Sequence, residues 1–383
     1  MHSDPILAYA VAAILITLLI SLLMKQIRQS HVVACLLAGI ILGPHVTGLF
    51  TDHESISRFG SLGVVLLMFF VGMEVSPQRL VNNWKIAILG TSVQVGISVF
   101  LVWLLGFSLE WSLSRIVLLG FVISLSSTAV VLKLLQDWNE LNTDTGQDVL
   151  GVLLVQDLFV VPMLIILNLF AGDTPDTPEI LMQICGGIGL ISLVVFITIK
   201  DQFHIPFLKS IIQDHETQVF TALVFCFGFA LITAVLGLST ALGAFVAGML
   251  VSSARETDWV RYALEPFRVI FIALFFVSIG MLLNLDFVLA HSWQVALLVI
   301  AVFITNTFIN AGTFRAFGES WRESFYAGAL LSQIGEFSFV LAAAGYHAAI
   351  ITDVGYQYAI SVILFSLIFS PGWIALMRKL TRR

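Results

Sequence analysis

The sequence predicts an all-α polytopic membrane protein: about thirteen transmembrane helices in two inverted six-helix repeats, with crossed discontinuous helices. Three observations predict it. Of 383 residues, 59% are hydrophobic and only 11% charged, against about 25% charged in a soluble domain, and the mean hydropathy is +1.01. Apolar runs recur at the roughly 17–25 residues that cross a bilayer. Two of those runs carry polar interruptions, Ser124–Thr128 and Ser332–Glu336, at corresponding places in the order. A soluble core is excluded. So is a nucleic-acid surface, because no basic patch with interleaved aromatics occurs and the net charge is -6.

In order, the expected spans are 5–24, 31–50, 60–75, 85–107, 113–134, 146–171, 178–199, 217–236, 238–253, 267–284, 291–313, 322–346 and 354–378. The first, from Pro5 to Met24, has no basic stretch before it and reads as a retained helix rather than a cleaved signal. The repeats fall at about 5–171 and 217–378, with 178–199 as the linker helix, in a single transmembrane domain. Cys35, Cys185 and Cys226 all lie in apolar runs and are expected to be small buried hydrophobes, with no disulfide, redox or zinc chemistry.

Orientation follows from the basic residues, since cytoplasmic loops carry the excess of Lys and Arg. In this alternation 16 of the 18 fall on one side, leaving Arg58 and Arg115 opposite. The N-terminus is therefore expected outside and the C-terminus in the cytoplasm. Odd parity lets two six-helix halves, joined by a seventh helix, enter the membrane from opposite sides, as inverted-repeat transporters do. Cys35–Gly43 (CLLAGIILG) and Leu242–Val251 (LGAFVAGMLV) echo each other weakly, although small residues recur at helix contacts anyway.

The chemistry centres on Gly151–Pro162, GVLLVQDLFVVP, where Asp157 is the one charge in a run that continues to Phe170. A charge at the bilayer centre costs roughly 2.5–3.5 kcal/mol on insertion scales, so a chain that keeps one there usually uses it. The structural alternative is an Asp that only hydrogen-bonds a neighbouring helix. Asp157 lies about 16 Å into its span at 1.5 Å per residue, near the middle of a 30 Å core. Glu336 is at similar depth, whereas Glu74 ends its span just before Ser76-Pro77, where an interfacial position explains it. Ser124–Thr128 is either an unwound segment or a set of hydroxyls bonded back to their own helix. Ser332–Glu336, with Gly335, is its counterpart in the twelfth span. Crossed half-helices leave positive N-terminal ends inside the membrane, and Glu336, with Gln333 beside it, is assigned to balance them; direct transport by Glu336 is the alternative.

A carboxylate taken out of water favours its protonated form. A dehydrated cation, held by Asp157, Gln156 and the hydroxyls and carbonyls of Ser126, Ser127 and Thr128, would compete with that proton. One titrating carboxylate exchanging one proton for one monovalent cation moves no net charge, provided Glu336 does not titrate. A channel is the first rival, but no TVGYG-like filter loop occurs. An intramembrane aspartyl protease would need two acids sharing a proton, and a Gly-Glu in a broken helix is a poor partner for that. A crossed-helix solute symporter is the third rival, and the absence of any buried basic residue argues against anionic organic substrates.

Several stretches together carry a family resemblance: LLAGIILGP at Leu36–Pro44, GMEVSPQR at Gly72–Arg79, LSSTAVVL at Leu125–Leu132, QDLFVVP at Gln156–Pro162 and GLSTALGAFVAG at Gly237–Gly248. EPF at Glu265–Phe267, FFVSIGMLLN at Phe275–Asn284 and SQIGEFSFVL at Ser332–Leu341 continue it. In this order they resemble the membrane domain of Kef-type potassium/proton antiporters, in the monovalent cation:proton antiporter-2 family, along nearly the whole chain. The resemblance implies a sodium/proton antiporter-like fold and a non-enzymatic antiporter without cofactors, exchanging potassium, or alternatively sodium, for protons. It also implies a homodimer in the bacterial inner membrane, with a dimerisation domain beside a core domain that moves in elevator fashion.

Kef-type members carry Gln-Asp at the site, as Gln156-Asp157 does here, where electrogenic sodium exchangers of the family carry two acids. An ungapped alignment from Gly280 puts Asn306 where many relatives have a lysine, so an ion pair between that lysine and Asp157 is not expected. Asn306 either lends its amide oxygen to the ion or bonds between helices. Kef-type proteins continue into a cytosolic nucleotide-binding regulatory domain, or work with an ancillary subunit; the sequence to Arg383 contains no such domain.

Overall fold

Backbone in hydrocarbon has no water to bond, so each apolar run must satisfy its N–H and C=O groups internally. The computed structural model describes residues 5–26, 31–50, 53–74, 85–170, 177–200, 215–238, 240–253 and 258–381. Every apolar run among them is helical, and no strand occurs among the described residues. The first half contains α1 (Pro5–Gln26), α2 (His31–Leu42), α3 (His53–Glu74), a π-turn at Lys85–Gly90 leading into α4 (Thr91–Ser108), α5 (Leu113–Ser124), α6 (Thr128–Asp137) and α7 (Asp144–Phe170). After α8 (Thr177–Lys200) come α9 (His215–Val235), α10 (Thr240–Ser253), α11 (Asp258–Met281), α12 (Leu285–Ala290), α13 (Ser292–Ala316), α14 (Trp321–Leu330), α15 (Phe337–His347) and α16 (Asp353–Thr381). Six stretches among the described residues are long and apolar enough to cross a bilayer alone, including most of α7, α13 and α16.

Each expected span coincides with one helix or with one broken pair. The fifth is α5 and α6 interrupted at 125–127, and the twelfth is α14 and α15 interrupted at 331–336. Ser112 starts α5 by accepting from Arg115 N–H, and Ser320 starts α14 by accepting from Glu323 N–H while donating to the Glu323 carboxylate.

Three expectations are corrected. The second span ends as helix at Leu42, not near 50, because Pro44 disfavours helical geometry at the residue before it and the chain turns through Gly48 at φ 62°. Leu285–Ala290 forms a short helix, capped by Asn284 accepting from Phe287 N–H, that the apolar runs did not announce. Cys185 is exposed while Cys35 and Cys226 are buried, all three free; the outer face of a spanning helix meets lipid, so an apolar thiol needs no protein cover. Ser76 and Pro77, and the basic loop residues Arg28, Arg79, Lys209, Arg255, Arg382 and Arg383, lie outside the described residues.

The chain divides into two compact units, each drawing on both sequence halves. One comprises Met1–His53, Asn83–Asp173 and Ile279–Arg383 and contains both broken helices; the other comprises Glu54–Asn82 and Thr174–Ser278. In the second, α9 packs along α10 and α10 against α8. Gly72 of α3 and Gly248 of α10 meet at backbone contact, since a Cβ on either would strike the other helix's main chain, the close approach that small residues permit in membranes. In the first, α13 packs on α14 and α16, α15 on α5 and α7, and α4 on α5.

Candidate functional site

The site belongs to the first unit and begins with two interrupted helices that cross. At the crossing Gly335 N–H donates to Leu125 O at 2.7 Å, and Ser126 Oγ donates to Leu331 O at 2.8 Å. Unwound backbone is thus satisfied by its counterpart, the condition for non-helical chain at membrane depth. Only glycine fits at 335, where a Cβ would lie 2.5 Å from Ser126 O. Ser338 Oγ adds a bond to Val122 O at 2.7 Å, and Ser366 of α16 accepts from Ile334 N–H at 3.1 Å.

The first break is held from two further helices. Gln156 of α7 accepts from Ser126 N–H at 2.8 Å and donates to the Gln94 amide oxygen at 2.7 Å; Gln94 of α4 donates to Ser124 O at 2.8 Å. Gln94 and Gln156 are 1% and 0% exposed. Asn306 of α13 spans both breaks, its Nδ2 donating to Ile123 O at 2.8 Å and to Ser332 O at 3.2 Å. Its Oδ1 is buried with no hydrogen-bond partner, as are both polar atoms of Gln333. Such groups in a native interior mark places that a water or ion can occupy.

Asp157 sits on α7 beside the start of α6, accepting from Thr128 Oγ1 at 3.0 Å. It is half-buried, and Pro162, further along α7, removes a backbone donor from the same helix. Ser127 is spent locally, capping α6 by accepting from Val130 N–H. Ser124 bonds back to Phe121 O, so the hydroxyls do both things the sequence allowed. Glu336, buried, is the residue immediately before α15 and lies within electrostatic reach of Asp157.

All eight residues singled out from the sequence therefore converge on one crossing. Sequence reading missed Gln94, Ser338 and Ser366. A lone amide inside the apolar run of α4 was the available signal for Gln94; the two serines are indistinguishable from ordinary small contact residues. Chemically, the crossing gathers the Asp157 and Glu336 carboxylates with hydroxyl, amide and carbonyl oxygens, donors suited to a hard cation. No group of three or more His, Cys, Asp or Glu that could hold a metal occurs among the described residues.

A family model described as "Sodium/hydrogen exchanger, transmembrane" matches residues 11–379. The chain belongs to the sodium/hydrogen exchanger family. Among its relatives, the Iron transporter MagA of Paramagnetospirillum magneticum is 33% identical over 99% of this chain and 87% of its own length. K(+) efflux antiporter 5 of Arabidopsis thaliana is 33% identical over 90% of this chain, which spans 61% of that plant protein. The putative cation/proton antiporter YbaL of Escherichia coli is 29% identical over 99% of this chain and 69% of its own length. The solved sodium proton antiporter MjNhaP1 of Methanocaldococcus jannaschii superposes with a TM-score of 0.73 at 15% identity, covering 99% of this chain and 98% of that one. The all-helical antiporter fold and the resemblance to the monovalent cation:proton antiporter-2 family are borne out. This member of the exchanger family is a membrane transporter rather than an enzyme, and the protease reading falls.

Proposed function

We propose that this protein exchanges a monovalent cation, potassium before sodium, for a proton, with Asp157 as the carboxylate the two share. The observation that carries the reading is the Asp157 carboxylate, bonded by Thr128 Oγ1 at 3.0 Å, beside two crossed and unwound helices. A carboxylate away from water is stable when protonated or when paired with a cation, not when bare. Each partner therefore displaces the other, and neither crosses without exchange. Ser126, Ser127, Thr128 and Gln156 build the oxygen-rich surroundings, with the Asn306 and Gln333 amides nearby in the crossing. Glu336, at the start of α15, offsets the positive helix ends, an effect of at most about 2 kcal/mol in partly buried geometry, and keeps its charge through the cycle. With one exchanging carboxylate, exchange is electroneutral.

Elevator-like alternating access, a homodimer, a bacterial inner-membrane location and an inside C-terminus complete the reading. They rest on the family resemblance and on the distribution of Lys and Arg. An iron reading draws on the name of one relative, but iron favours imidazole ligands, and none of the residues gathered at the crossing is a histidine.

The test is flux in proteoliposomes carrying a pH-sensitive dye, across potassium, sodium, lithium, rubidium and iron(II). Asp157→Asn should abolish cation-driven proton movement in a folded protein, Glu336→Gln should slow it while keeping the coupling, and an imposed membrane potential should leave the wild-type rate unchanged. Undiminished flux in Asp157→Asn would overturn the assignment.

A further inference from the structure

Gln94 stands on α4, is 1% exposed, and uses both ends of its amide at the crossing. The bonds run in series: Ser126 N–H to Gln156 Oε1, Gln156 Nε2 to Gln94 Oε1, Gln94 Nε2 to Ser124 O. Both ends of this chain are backbone groups of one interruption, a donor at 126 and an acceptor at 124. That polarity allows one orientation for each amide. Flipping either would set two oxygens, or two N–H groups, face to face at about 2.8 Å.

The geometry points to Gln94 as a positioning residue for cation exchange: acting through Gln156, it orients the unwound segment 125–127 and so sets how Thr128 meets Asp157. It also explains why position 156 must be a neutral donor. An ionised carboxylate there would still accept from Ser126 N–H, but its second oxygen would face the Gln94 amide oxygen. The neutral amide at 156 thus leaves Asp157 as the one charge on that turn of α7. Gln94 itself makes no bond to Asp157; Thr128 does. The role is therefore exerted on backbone orientation, and it rests on Asp157 being the exchanging carboxylate.

The experiment measures the half-saturating potassium concentration and the maximal rate separately in proteoliposomes, for Gln94→Met, Gln156→Met, the double variant and Asp157→Asn. Gln94→Met keeps side-chain length and loses both polar ends. The half-saturating concentration should rise about tenfold, the scale of one or two lost hydrogen bonds, with a smaller change in maximal rate. The double variant should be no worse than either single one, because both break the same chain. Gln94→Glu, compared with wild type at each pH, should recover at acidic pH, where a protonated carboxyl repeats the acceptor–donor pattern, and fail at alkaline pH. Should Gln94→Met not fold, that pH series alone carries the test. An unchanged half-saturating concentration in Gln94→Met, independent multiplication of the two single effects, or no acidic recovery in Gln94→Glu would each overturn the inference. An active Asp157→Asn would instead sink the carboxylate reading, while an inactive one beside an unaffected Gln94→Met sinks this inference alone.

Discussion

Replacing Asn306 by leucine tests what holds the two breaks together, because the side chain keeps its volume and loses its polarity. Nδ2 now satisfies two buried carbonyls, Ile123 O at 2.8 Å and Ser332 O at 3.2 Å, each at the interruption of a different helix. A buried polar group left without its partner costs about 1–3 kcal/mol, so the two together cost about 2–6 kcal/mol. The substitution also removes Oδ1, which is buried and unpartnered, and that relief returns about 1–3 kcal/mol. The net expectation is a loss of about 2 kcal/mol, or roughly thirtyfold in the unfolding equilibrium. Asn306→Asp, isosteric but ionisable, sets an oxygen against those carbonyls and should lose at least as much. Thermal unfolding of the purified protein in detergent, with potassium titrated into each variant, reads both stability and affinity. An Asn306→Leu protein as stable as wild type but binding the cation more weakly would refute the bridge and give the amide oxygen to the ion instead.

Glu140, 4% exposed, accepts from Tyr326 and from Arg378, each at 2.6 Å, and Arg378 also stacks over Trp138 at 4.4 Å. Arg378→Met should cost about 2 kcal/mol, between an exposed pair and a fully buried one because Arg378 is 34% exposed; adding Glu140→Gln, which removes the charge that faced the guanidinium, should recover part of the unfolding midpoint, and no recovery would exclude the ion pair as the source. Burial, then the neighbouring charges of Glu323, Asp148 and Asp144, hold the Glu319 carboxyl above its ordinary 4.5. A raised acid favours folding in full below its unfolded value and loses that contribution as pH rises through its folded one, so Glu319→Gln should be more stable than wild type at neutral pH and equal to it below about pH 4. A constant difference across that range, in unfolding followed against pH, would remove Glu319 as the cause.

Much of the site was legible because rarity in an apolar run is itself a signal. Asp157 and Glu336 stand out by charge, and Ser124–Thr128 and Ser332–Glu336 by clustered hydroxyls and a glycine. Asn306 drew notice only by alignment to relatives, and its function was left between two readings that local sequence could not separate. Its bonds reach residues 183 and 26 positions away, and no periodicity encodes such distances. Gln94 escaped because a single amide in a membrane helix can serve any neighbour.

Local chemistry alone determined the membrane class, most of the helical elements, the places of both polar interruptions and the identity of the one acid in the apolar run 151–170. Lipid leaves backbone no alternative to internal hydrogen bonding, so length and apolarity suffice to specify the spans. Tertiary structure decided which groups satisfy the interruptions: Leu125 paired with Gly335, Ser126 with Leu331, the two glutamines in series, and Asn306 across both breaks. Those choices depend on which helix ends meet in space, because an amide or hydroxyl is directed by the partner it finds, and the chain order does not name that partner.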